Sequence, residues 1–168
     1  MYMQTYSRRH EYFWLIFWVV ICYDASAIGA LASLDAPKIY LDLAQPTWAP
    51  PSWVFTPVWC LLYVAMGIAA WLVWREGGFR ANWKTLTLFL VQLILNAIQS
   101  WFFFAWQMAA MAFINLLVLC VLIAVSLVTF YRINHLAGLL LAPYLFWTVF
   151  LLVLLYSLLQ LNTHLLNI

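Results

Sequence analysis

From Ala137 to Leu159 the chain runs without a charged side chain. A run of that length crosses a hydrocarbon core about 30 Å thick as one helix, at about 1.5 Å per residue. Backbone groups in lipid find no water to bond, so only helices and closed barrels are available. A barrel strand would show short segments alternating polar with apolar residues, and the long unbroken runs do not. Comparable runs recur at about 12–34, 51–74, 83–105, 110–131 and 136–161, which with short connections account for most of the 168 residues. The expected fold is therefore an all-α membrane protein, a five-transmembrane-helix bundle forming a single domain over 12–162. Residues 1–11 read as a polar cytoplasmic segment and 163–168 as an uncharged tail. Charged side chains are 7% of the chain, against about a quarter in ordinary soluble domains, so the lipid membrane is the expected partner and nucleic acid is not.

Five spans place Arg8, Arg9, Arg75, Arg80, Lys84 and Arg132 on one side and Lys38 on the other. Basic residues concentrate on the cytoplasmic side, so the N-terminus is expected there, in a bacterial inner (cell) membrane. The stretch leading into the second span, Pro46 to Trp59, holds four prolines and three tryptophans. Proline fixes φ and indole brings a wide flat surface, so this stretch is expected to be a stiff lid running into a helix. Pro50 and Pro51 suit a helix start, and Pro57, one turn further, is expected to bend or loosen that turn. The stretch from Asp35 to Gln45 reads as a mixed loop.

Gln92, Asn96, Gln99 and Ser100 recur at spacings of four, three and one, along one face of the third span. A polar stripe at that depth is costly against lipid and should face the bundle interior. Ala25, Gly29 and Ser33 form a small-residue stripe on the first span, serving either close helix packing or a face left open for a ligand. Asp24 falls near mid-span, where a carboxylate costs about 2.5–3.5 kcal/mol on insertion scales, so it is expected neutral or hydrogen-bonded inside the bundle. Cys22, Cys60 and Cys120 stand singly in apolar runs, as small hydrophobes rather than a disulfide or zinc set. His10, His135 and His164 lie near ends or in turns, away from any ring held mid-bundle. No nucleophile–base set, paired carboxylates or glycine-rich phosphate loop is present, so no catalytic residues are assigned and no metal site is expected.

The run Trp48-Ala-Pro-Pro-Ser-Trp-Val-Phe-Thr-Pro-Val-Trp59, with Leu62-Tyr63, Met66-Gly67 and Trp71-Leu-Val-Trp-Arg75, resembles the first-loop and second-helix signature of the TspO/MBR family. Gln92-Leu-Ile-Leu-Asn96, Gln107-Met108 and Pro143-Tyr-Leu-Phe-Trp147 extend the similarity, which covers about 40–162. The resemblance implies a five-helix receptor, sensor or translocator, often a homodimer, that binds porphyrins such as protoporphyrin IX and haem as ligands and requires no cofactor. It implies a pocket built from Trp48, Trp53, Trp59, Gln92, Asn96, Tyr144 and Trp147, with Gln99 and Leu151 at positions where the family commonly has an aromatic residue and alanine. The family also commonly has an acidic residue where this chain has Asn115. Leucine at 151 is expected to narrow the pocket on the fifth-span side.

Indole faces suit a flat apolar ring and amides suit its polar edge. The same tryptophans can instead fill the core or sit in the interfacial belt. Three functions follow: a porphyrin sensor or translocator; a light-dependent, enzyme-like porphyrin degrader using Trp59 and Trp147; or an interaction protein that dimerises through the small-residue stripe.

Overall fold

The computed structural model describes residues 8–162. Met1–Ser7, Thr163–Ile168 and the side chains of Arg8, Arg9 and His10 lie outside the described residues, and with them the expected tail, most of the N-terminal segment and His164. Seven α-helices follow in order: α1 (Arg8–Leu31), α2 (Ala36–Asp42), α3 (Phe55–Arg75), α4 (Gly78–Ala81), α5 (Trp83–Ser100), α6 (Ala109–Ile133) and α7 (His135–Leu161). Five spans, including Ser52–Arg75 and Trp83–Ala105, are long and apolar enough to cross a membrane. The all-α, five-span bundle is the fold.

Two connections differ from the sequence reading. The stretch taken as loop contains α2, started by Pro37 in its first turn, where a missing N–H leaves no bond unmade. The second span begins later than Pro51, which is extended, with a 3-10 turn over Ser52–Val54 and then α3 from Phe55. Pro57 therefore falls in the first turn of α3, a position proline tolerates, rather than one turn inside it.

The third span also departs from a plain helix. After Ser100 it widens into a π-turn over Trp101–Ala105, in which the Trp106 amide donates to the Trp101 carbonyl at 2.8 Å. Gln107, with φ +52°, then reverses the chain into α6. At the far end, Asn134 caps α7 by accepting from the Ala137 amide at 3.2 Å.

α1 packs on α3 and α5, α3 on α7, α5 on α6, and α6 on α7. The α1–α3 crossing is close because Gly67 faces Val19: a Cβ there would lie 2.7 Å from the Val19 Cα. Trp14 stacks on Trp74 at 4.6 Å lower on the same seam. Gly29 abuts α5, its would-be Cβ 3.5 Å from the Ala97 carbonyl oxygen. The small-residue stripe is thus spent inside the molecule, which removes it as a dimerisation face. Asp24 is exposed on the outer side of α1 and makes no hydrogen bond among the described residues, contrary to the expected interior placement.

Candidate ligand cavity

At the lid end the helices border a cavity of about 360 Å³. Its walls come from the C-terminal half of α1, from α2, from the start of α3, from the end of α5 with its π-turn, and from the last third of α7. Each wall has a local cause. Small side chains at Ser26, Gly29 and Ser33 leave α1 thin where it passes the opening, and the π-turn swings Phe103 and Phe104 onto the wall. Widened turns of this type occur often at functional sites.

Four of the nine pocket residues that the resemblance implied meet on this cavity, Trp59, Asn96, Gln99 and Leu151, beside Gly29 and Ser33 of the small-residue stripe and Ser100 of the polar one. Trp59 lies parallel over Tyr63, ring centroids 5.4 Å apart, and meets Tyr144 edge-on at 6.3 Å. The Tyr63 hydroxyl donates to Asn96 Oδ1 at 2.7 Å, and Asn96 Nδ2 donates to the Tyr144 hydroxyl at 2.7 Å. Tyr144 is wholly buried, so it stands behind the wall and holds Asn96 in place. Gln99 Oε1 accepts from Asn115 Nδ2 at 2.7 Å, and that nitrogen also donates to the Leu95 carbonyl at 3.1 Å.

Gln92, Trp147, Trp48 and Trp53 are not on the lining. Gln92 is fully buried deeper in the bundle, both its amide atoms without a partner among the described residues. Trp147 meets Phe55 at 5.8 Å and stacks on Phe150 at 5.1 Å, and Trp48 meets Phe150 at 5.9 Å. These rings form a train behind Phe55, which does line the cavity, so Trp147 and Trp48 reach it only through that ring. Trp53 is 72% exposed, as an interfacial tryptophan would be.

The lid is tied down by residues that sequence reasoning passed over. Asn162 Oδ1 accepts from the Ala44 amide at 2.8 Å, and its Nδ2 donates to the Ala44 carbonyl at 2.9 Å and to that of Leu158 at 2.8 Å. One side chain at the end of α7 thereby pairs with both backbone groups of a residue 118 positions away. The Tyr40 hydroxyl donates to the Pro50 carbonyl at 2.9 Å; burial pushes this hydroxyl above its usual range and keeps it a donor. No sequence signal points to Asn162, whereas the small-residue stripe had offered, as one alternative, a face open to a ligand, and its Gly29 and Ser33 do line the cavity.

The lining is mostly aromatic and aliphatic, with hydroxyls and two amides, and includes no lysine, arginine, histidine, aspartate or glutamate. His135 lies at the opposite end of α7 against Tyr131. Among the described residues no cluster of three metal-ligating side chains occurs. Such a site can bind a flat apolar molecule by stacking and burial, and hold one polar end by hydrogen bonds.

The model of the TspO/MBR family matches residues 16–161. A tryptophan-rich protein TspO of Chlorobaculum tepidum is 36% identical over 144 residues, covering 81% of this chain and 89% of its own. The human translocator protein is 41% identical over 113 residues, 66% of this chain and 67% of its own. A tryptophan-rich sensory protein of Cereibacter sphaeroides is 30% identical over 136 residues, 80% and 83% of the two chains.

Proposed function

The chain belongs to the TspO/MBR family, a multi-pass membrane protein whose relatives are named translocator or sensory proteins, and on that footing we propose that it binds a planar hydrophobic ligand, a porphyrin first of all, beneath its proline lid. The observation that carries this reading is the cavity itself: about 360 Å³, aromatic-walled, uncharged, bordered by Ser52 of the proline stretch, with Trp59 stacked over Tyr63 and the amides of Asn96 and Gln99 on its lining. We take binding there to serve sensing or translocation, the roles carried in the relatives' names.

Arg75, Arg80, Lys84 and Arg132 lie at the helix ends remote from the cavity, which supports a cytoplasmic N-terminus and a cavity opening toward the other face. Labelling of a cysteine placed at Trp53 by an impermeant thiol reagent on intact cells reads this orientation. A homodimer belongs to the same proposal, through a face other than the small-residue stripe.

The test is titration of the purified protein in nanodiscs with protoporphyrin IX, following tryptophan emission. Saturable quenching is expected, weakened by Trp59→Phe and not by Trp53→Phe. Quenching that never saturates, or that both variants alter equally, contradicts the cavity as receptor.

A further inference from the structure

The hydrogen bonds behind Gln99 decide which way its amide faces. The Leu95 carbonyl oxygen can only accept, so the Asn115 atom 3.1 Å from it is the amide nitrogen. That same nitrogen lies 2.7 Å from Gln99, which must therefore present its oxygen. With Oε1 engaged, Nε2 and its two N–H groups are what Gln99 has left, and they have no partner among the described residues. Gln99 is half-buried and on the cavity wall.

Three other donors on that wall are already used, while the hydroxyls of Thr56 and Ser100 and the Trp59 indole also line it with no hydrogen bond among the described residues to orient them. The Ser33 hydroxyl donates to the Gly29 carbonyl, that of Tyr40 to Pro50, and that of Tyr63 to Asn96. Across the cavity stand apolar chains such as Leu151 and Leu155. The wall thus offers an oriented, uncharged donor in an apolar room with no cationic side chain. Among the described residues the basic side chain at this end, Lys38, is exposed and outside the lining, with Asp35 and Asp42 close in sequence.

Resting on the porphyrin-binding reading, we propose that Gln99, oriented by Asn115, selects the polar end of the ligand, and that the group it takes is a neutral carbonyl acceptor such as an ester, amide or ketone. An ionised carboxylate in so apolar a room would lose its hydration and find no cation in exchange, a penalty that one amide donor does not offset. A neutral carbonyl loses little hydration and gains a directed bond. Asn115 touches no ligand; it is a positioning residue, fixing which end of the Gln99 amide faces inward.

Three porphyrins separate the possibilities: protoporphyrin IX, its dimethyl ester, and etioporphyrin, whose substituents are alkyl only. Affinities come from tryptophan quenching in nanodiscs at pH 8. The ester is expected to bind at least as tightly as the diacid. Gln99→Leu and Gln99→Met should each weaken the ester by about tenfold and leave etioporphyrin within about twofold, which also shows the variants folded. Asn115→Leu should weaken the ester in the wild-type background and add nothing in the Gln99→Leu background. Diacid binding tighter than ester, equal losses for ester and etioporphyrin in both Gln99 variants, or an additive Asn115 effect overturns the assignment while porphyrin binding stands. Failure of all three porphyrins to quench the wild-type protein removes the porphyrin reading and this assignment with it.

Discussion

Asn96 is the residue on which two helices' hydroxyls converge: Tyr63 of α3 donates to it and it donates to Tyr144 of α7. An amide can serve both because it carries an acceptor and a donor at opposite corners. Asn96→Leu strips both partners at once in a buried setting, so the expected loss of stability is about 2–3 kcal/mol, read as a lowered thermal midpoint in detergent. Tyr63→Phe, which leaves Asn96 its bond to Tyr144, should cost less than half of that; equal costs would contradict the shared role. The stripe containing Asn96 and Gln99 was legible because polar residues at helical spacing in an apolar span must face inward. The tryptophans were less so. Trp59 and Trp53 are the same residue type six positions apart, yet one stacks on the cavity wall and the other faces outward at 72% exposure. Only the start of α3, set by Pro57 in its first turn, decides between them.

At the scale of elements, the five long helices could be read from hydrophobic runs, while the short pieces that shape the cavity could not. The seven-residue α2 is shorter than any run that hydrophobic periodicity detects, and the π-turn at Trp101–Ala105 inserts its extra residue into a sequence that looks like ordinary helix. The lid's anchor was hidden for another reason: Asn162 and Ala44 are 118 residues apart, and an asparagine after a helix reads as a simple stop. Without that side chain the lid keeps Tyr40–Pro50, the Trp48–Phe150 contact and its proline stiffness but loses its hydrogen-bonded tie to α7. Asn162→Ala should speed amide hydrogen exchange at Ala44 by about tenfold or more, with exchange in the middle of α6 unchanged. Equal exchange at Ala44 in both proteins would show that packing alone holds the lid.

For the whole molecule, the charge asymmetry and the cavity lie at opposite poles. Basic side chains gather where α3, α4, α5, α6 and α7 begin or end away from the lid, and the uncharged, aromatic-walled space opens at the other end. Small side chains at Ser26, Gly29 and Ser33 leave room on α1 beside the cavity, while Gly67 lets α1 pack closely on α3 further along. Neither Val19 nor Gly67 lines the cavity, so it can be filled without touching that seam. Ala30 is the place to do so, being exposed and on the cavity wall. Protoporphyrin IX titrated against wild type and Ala30→Phe in nanodiscs, at matched thermal midpoints, is the decisive comparison. Saturable quenching of the wild type that is lost in Ala30→Phe is the predicted result; identical saturable curves for the two proteins would place the ring somewhere other than beneath the lid.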